Sequence, residues 1–248
     1  MNLMHRCVLT AALCVSLAGC AGTPSTAKTE DPFENTNRAV HSFNTTVDRY
    51  SLKPVAKAYR AVLPGFARQG ISNFYANLTT PASSLNNFLQ GKPQSGMTEL
   101  SRFVFNSTVG IGGLVDVSAM SGVEAETEDF GQTFAVWGVP SGPYIYLPFL
   151  GPSTALDVAA WPLDFFSNPV NLIDDTGTQD KLRVLDIIQI RAQLLAAEGL
   201  LEDADDPYIA LREAYLQNRL YRIYDGDPPI SDEEEDLFNE FFDEVEDD

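Results

Sequence analysis

The chain has 248 residues, 44% of them hydrophobic, with a mean hydropathy of −0.10, enough to bury a core in one or at most two domains. Sixteen Lys and Arg against thirty-five Asp and Glu leave a net charge of −19, which sets aside nucleic acid as a partner, because phosphate-backbone binding needs a cationic footprint. All three cysteines (Cys7, Cys14, Cys20) lie in the first twenty residues, and the two histidines are His5 and His41, so a chain trimmed near residue 20 has no material for zinc sites, thiol redox pairs or a disulfide framework.

Met1 to Gly19 has the layout of a bacterial export signal: His5 and Arg6 open it, an apolar run from Cys7 to Leu17 follows, and small residues precede Cys20. The run is too short to span a bilayer. Leu17-Ala18-Gly19-Cys20 resembles the lipobox of bacterial lipoproteins, in which the cysteine is diacylated, the signal is cut before it and the new amino group is acylated. Two or three acyl chains anchor stably, since each buried methylene contributes about 0.8 kcal/mol and one chain alone holds only marginally. Cys20 is therefore the expected lipid attachment site. Ala21 after it, rather than Asp, implies by the same resemblance sorting to the outer membrane. Residues 20–30 read as a short lipidated tether of small and polar residues.

Helical signals dominate the next stretch. Asp31-Pro32 opens a segment with Val40, Phe43, Val47 and Tyr50 at spacings of three and four, and a second runs from about Pro54 to Leu63, stopping at Pro64-Gly65. Further helices are expected at about 66–77, 81–90 and 94–109. The segment Gln179 to Leu201 carries Leu182, Leu185, Ile188, Ala192 and Leu195 on one stripe. A last helix begins at Asp206-Pro207, a cap followed by proline at the first helical position, and ends near Asp225-Gly226. Alternating strand patterns are short, chiefly Phe134 to Val139 and Tyr144 to Leu147. The expected fold is mainly α, a single domain of amphipathic helices over 31–224 with at most short strands or a hairpin. Residues 225–248 hold thirteen Asp and Glu and no Lys or Arg, and read as an acidic, disordered tail.

Residues Tyr144 to Phe166 hold fifteen apolar side chains in twenty-three, long enough to cross a hydrocarbon core of about 30 Å. Pro148, Pro152 and Pro162, with Asp157 and Asp164, exclude a simple transmembrane helix, because each interior proline costs about 3 kcal/mol and frees a carbonyl that lipid cannot satisfy. An interfacial segment and a buried core remain as alternatives. Arg102, Lys181, Arg183 and Arg191, on apolar helices, are candidates to snorkel toward headgroups, or simply to form a solvated face. Tyr208, Arg212, Tyr215, Arg219 and Arg222 follow spacings of four and three, a cationic-aromatic stripe expected at headgroups or a partner surface rather than in the core.

Catalytic motifs do not emerge. Gly110-Ile111-Gly112-Gly113 has neither a P-loop nor a dinucleotide spacing, Ser141-Gly142-Pro143 is no nucleophile elbow, and Glu124, Glu126, Glu128 and Asp129 read as a solvated loop. No cofactor is expected, and the chain is not read as an enzyme.

Ordered blocks carry a resemblance: DPFENTNR (31–38), FN (43–44), KPVAKAYR (53–60), SNFYANLTTP (72–81), NNFLQG (86–91), GIGGLVD (110–116), EDFGQTFAVWGVPSGPYIYLPFLGPS (128–153) and DPYIALREAYLQNR (206–219). Behind a lipobox, they make the chain similar to the MlaA (VacJ) family of outer-membrane lipoproteins, which remove mislocalised phospholipid from the outer leaflet. The resemblance implies a ring of amphipathic helices lying in the inner leaflet around an amphiphilic channel and docked beside trimeric porins. A soluble periplasmic lipid carrier takes the lipid onward. It also implies that Phe43, Asn44 and the glycine hairpin with Gly110, Gly112 and Gly113 border and gate the channel. The rival readings are a structural lipoprotein tethering porins, and an envelope lipid hydrolase built around His41.

Overall fold

Six helical starts fall on side chains that accept the free amide protons of the first turn: Asp116, Asp129, Thr154, Asn168, Asp175 and Asp206. The computed structural model describes residues 31–229. The export signal (1–19), the tether (20–30) with Cys20, and the acidic tail from residue 230 lie outside the described residues. Asp31–Pro228 forms one compact unit.

Helix α1 (Glu34–Val47) runs through a π-helical turn (Asp48–Leu52) into α2 (Lys53–Val62). The two expected segments are thus one continuous rod. Pro54 lacks an N–H and crowds the carbonyl four residues back, and the widened turn lies just before it, where the Lys53 amide donates to the Asp48 carbonyl, five residues away. The helices expected at 66–77 and 81–90 likewise merge into α3 (Gly65–Leu89), with Pro81 inside it. Packing against α4 (Pro93–Thr108) and against a later helix offsets the proline penalty, which sequence alone weighs as a break.

After α4 comes a series of turns rather than a β hairpin, closed by the short α5 (Val117–Met120). The strand expected over Phe134 to Val139 is instead helical: Asp129 caps α6 (Phe130–Val136), and Gly138, at φ 91°, follows its end. Strand β1 (Tyr144–Leu147) forms as expected and pairs antiparallel with β2 (Gly151–Thr154), which the pattern did not show; Tyr144 faces Thr154 and Leu147 faces Gly151. Helix α7 (Ala155–Ser167) and a 3-10 turn (Pro169–Leu172) lead to α8 (Thr176–Leu194). The latter starts at its Asp175 cap and stops before the short α9 (Glu198–Glu202), so the expected 179–201 helix is shifted and broken. The last helix, α10 (Pro207–Ile223), begins where Asp206-Pro207 requires.

An apolar cluster joins Tyr144 and Tyr146 of β1 to Tyr208 of α10, with Val40, Leu211, Tyr215 and Leu216 around them. The tyrosine rings meet edge-on, centroids 6.3 Å apart for Tyr144 and Tyr208, a geometry that adds about 0.5–1.5 kcal/mol per pair beyond burial. The architecture is mainly α with a two-stranded hairpin. Among the described residues no helix is long and apolar enough to cross a membrane.

Candidate functional site

The interior is polar to an unusual degree. Among the described residues, seventeen polar or charged side chains are buried against nine apolar ones, so hydrogen bonding rather than apolar packing organises the inside. Three of the capping aspartates also hold an arginine from elsewhere, two of them a buried one (Arg102 and Arg219) and the third, Asp206, the partly exposed Arg38. Asp116 binds Arg102 at 2.9 Å, Asp129 binds Arg219 at 2.6 and 2.8 Å, and Asp206 binds Arg38 at 3.2 and 2.8 Å. Each carboxylate therefore satisfies a helix start and a guanidinium at once.

Arg102 does not snorkel. It is buried, donates to the Val123 carbonyl and to Asp116, and lies 3.6 Å from Glu99, itself 1% exposed. Burial pushes the Glu99 carboxyl up despite the Glu126 amide and Arg102 beside it. Arg191 is also committed, bidentate on Asp48 at 2.7 Å and to Glu198 at 3.0 Å, while Arg183 binds Asn171 and lies over the Phe165 ring. Lys181 alone of that set stays on an exposed position without an ion pair among the described residues.

The stripe on α10 is corrected in the same way. Tyr208 is 3% and Arg219 7% exposed, both in the interior. Tyr208 donates its hydroxyl to Asp31, Tyr215 to Asp157 at 2.7 Å, and Arg219 reaches Asp129, Asp157 and Gln132. Arg212 pairs with Glu213 at 2.7 Å and lies 3.9 Å from Asp31; Arg222, the most open, lies 3.4 Å from Asp129. Clustered arginines need partners, and here the partners are carboxylates of this chain, separated by up to 181 residues in sequence (Asp31 to Arg212) and so invisible to helical spacing. Burial works to raise the Asp129 carboxyl, yet the Arg219 hydrogen bonds and charge hold it below the usual range. Neighbouring Asp164, desolvated and beside Asp129 and Asp157, is pushed up to about 6 even though the Phe130 amide donates to it. Gly131 is required here by space alone: a Cβ would lie 2.3 Å from Asp157 and 2.4 Å from Arg219.

Asn44 and the buried Asn37, two turns apart on α1, bind the free edge of β1. Asn37 donates to the Tyr144 carbonyl at 3.1 Å and accepts from the Tyr146 amide at 2.9 Å; Asn44 donates to the Leu147 carbonyl and accepts from the Phe149 amide, both at 2.9 Å. An edge strand is thereby satisfied on both sides without a third strand. Phe43 stacks edge-on with Phe149 at the hairpin tip, centroids 5.3 Å apart, and both rings remain exposed. Asn37 was not singled out from sequence, although its place in DPFENTNR ahead of FN is the signal.

The glycine segment is tied down at its base. The Gly112 and Gly113 amides donate back to Ser107 and Asn106 of α4, and Asn73 of α3 donates to Leu114. Its three glycines act differently: Gly110 has Val115 and Asn106 carbonyls 2.1 and 2.5 Å from a Cβ position, Gly113 has Asn77 at 2.7 Å with φ 89°, and Gly112 has open space but φ 68°. They hold Ile111, itself at φ 55° and 70% exposed, at the outer tip.

Outside, the polarity is reversed. Phe66 (82% exposed), Met120 (80%) and Phe149 (73%) are largely exposed, and Phe105, Trp137, Trp161 and Phe166 are exposed as well. Within residues 144–166, Tyr144 and Tyr146 enter the core, while Phe149, Leu150, Trp161, Leu163 and Phe166 are exposed. His41 sits edge-on between Tyr146 and Tyr208, and burial lowers its pKa. No group of His, Cys, Asp or Glu able to hold a metal ion occurs among the described residues.

Residues 29–222 match the profile of the MlaA lipoprotein family. The chain is 42% identical over 207 residues to the intermembrane phospholipid transport system lipoprotein MlaA of Escherichia coli K12, covering 81% of this chain and 82% of that protein. It is 32% identical over 237 residues to the protein of the same description from Haemophilus influenzae, covering 89% and 92%. A chain in a solved structure described as the structural basis for maintenance of bacterial outer membrane lipid asymmetry superposes with a TM-score of 0.67 at 39% identity, over 80% of this chain and 100% of that one.

Proposed function

The chain belongs to the MlaA lipoprotein family, and from that membership we propose that it removes mislocalised phospholipid from the outer leaflet of the outer membrane and hands it to a soluble periplasmic carrier. The observation that carries the reading is the inverted polarity: large apolar side chains outside, a hydrogen-bonded polar interior inside, and no crossing helix among the described residues. Such a body is suited to lie among acyl chains in one leaflet, where its many exposed large apolar side chains are solvated. A polar route through it lets a headgroup move while the acyl chains stay in hydrocarbon, with no covalent chemistry and no nucleotide.

On this reading the body sits in the inner leaflet of the outer membrane, held by acyl chains on Cys20 and seated beside trimeric porins. Phe43, Asn44 and the segment with Gly110, Gly112 and Gly113 border and gate the route. In support, Asn44 fixes the hairpin whose tip carries Phe149 against Phe43, and the glycines project Ile111 outward from a tied base.

The test is covalent labelling of cell-surface phospholipid with a membrane-impermeant amine reagent in a deletion strain, with and without a restored copy. Surface phospholipid is expected to rise on deletion and return with the copy; unchanged labelling contradicts the reading.

A further inference from the structure

The block KPVAKAYR places Lys53, Lys57 and Arg60 at spacings of four and three on α2, which puts them on one helical face. Together with Ala61 that face lines an open surface pocket of about 590 Å³, whose other lining residues are Leu195, Glu198 and Gly199, where α8 gives way to α9. The volume lies in the range of sites that hold small ligands.

The acidic side of this pocket is already neutralised. Glu198 receives Lys53 at 2.8 Å and Arg191 at 3.0 Å, and Arg191 also holds Asp48. Lys57 and Arg60 are exposed and make no ion pair among the described residues. Two uncommitted cations at the mouth of a pocket, in a chain of net charge −19, form a local field that attracts an anion against the charge of the whole. A guanidinium beside an ammonium suits a phosphate, the first as a fork and the second as a point charge. Val62 and Phe66, at the end of α2 and the start of α3, follow Arg60 closely in the chain and are exposed apolar side chains.

We infer that this pocket is a headgroup site that takes the phosphodiester of an anionic phospholipid, with Lys57 and Arg60 as its phosphate ligands. The inference takes its ligand from the phospholipid-transport reading and adds to it a place of binding and a preference for net negative headgroups.

The experiment is calorimetric titration of the full mature chain in a nonionic detergent with dihexanoyl-phosphatidylglycerol, dihexanoyl-phosphatidylcholine and inorganic phosphate, each against the wild type and the Lys57→Gln/Arg60→Gln double variant. Both positions are exposed, so the fold is expected to persist, which circular dichroism checks. The wild type is expected to prefer phosphatidylglycerol over phosphatidylcholine, and the double variant to lose on the order of tenfold in affinity for it. Equal affinity of the two wild-type and variant proteins for phosphatidylglycerol overturns the inference. So does inorganic phosphate binding as tightly as the lipid, which would make this a free-phosphate site. Unchanged lipid affinity together with lost transfer to an added periplasmic carrier would assign the face to an acidic protein surface and also overturn it. Failure of the transport reading shows separately, as surface phospholipid that does not respond to deletion of the chain.

Discussion

Arg219 is the buried cation that two carboxylates share, Asp129 and Asp157, and Arg222 at 3.4 Å from Asp129 is the other arginine near the pair. Replacing Arg219 with methionine is expected to cost about 3–5 kcal/mol in denaturant unfolding, whereas Arg222→Gln, at a half-exposed position 3.4 Å from Asp129, is expected to cost less than about 1 kcal/mol. Asp164 titrates with the opposite sign to Asp129. Its folded pKa of about 6 lies above the ordinary 3.8, so the native state binds the proton more readily and ionisation above that value costs stability. Asp164→Asn is therefore expected to raise unfolding stability near pH 7 by on the order of 1–2 kcal/mol after allowance for solvent screening, read in denaturant unfolding, a gain that shrinks as pH falls through about 6 and vanishes below about 4. For Asp129, held low, the stabilisation is present above the ordinary carboxylate range and is lost as acid reaches its lowered folded value. The three glycines separate space from conformation. Gly112→Ala meets only the left-handed backbone and is expected to cost about 1–2 kcal/mol, while Gly110→Ala and Gly113→Ala, whose Cβ atoms would collide at 2.1 and 2.7 Å, are expected to unfold the segment at lower denaturant than Gly112→Ala does.

Helix α1 serves as the missing neighbour of β1. Removing Asn37 by alanine leaves the Tyr144 carbonyl and the Tyr146 amide unpaired beside the tyrosine cluster, with an expected loss of about 2–3 kcal/mol; Asn44→Ala, nearer the open tip, is expected to lose about 1 kcal/mol and to raise hydrogen exchange at the Phe149 amide. This interlock also shows what the sequence could and could not convey. Elements set by local chemistry were legible: Asp206-Pro207 started α10, and Tyr144 to Leu147 alternated as a strand should. Elements decided by neighbours were not. Pro54 read as a break because the widened π turn that accommodates it has no sequence signature, Pro81 because the packing of α4 that offsets its penalty is nonlocal, and Phe134 to Val139 read as a strand because the capping power of Asp129 was lost in an apparently solvated acidic run. At the site, helical spacing put Tyr208, Arg212, Tyr215, Arg219 and Arg222 on one stripe but was silent on which way it faced, since orientation depends on Asp31, Asp129 and Asp157 arriving from other elements. Phe43 and Asn44 came from the family resemblance, and the structure adds the hairpin contacts that give those positions a physical role.

The whole molecule is organised by a reversal of the usual partition: ion pairs and amides inside, large apolar side chains outside. On the transport reading proposed above, lipid is the solvent of this outer surface, because an aqueous shell costs about 25 cal/mol for every Å² of exposed apolar surface. The chain has two tryptophans, Trp137 and Trp161, and both stand exposed in that outer shell, which makes them native probes of what surrounds it. The most direct measurement is quenching of their fluorescence in the full mature chain reconstituted in phospholipid vesicles, by lipids brominated on the acyl chains and, separately, by aqueous iodide. A body seated in the leaflet predicts strong quenching by the brominated acyl chains, a blue-shifted emission and little effect of iodide. Quenching by iodide with no response to brominated lipid would place the apolar shell in water or against protein and contradict the account.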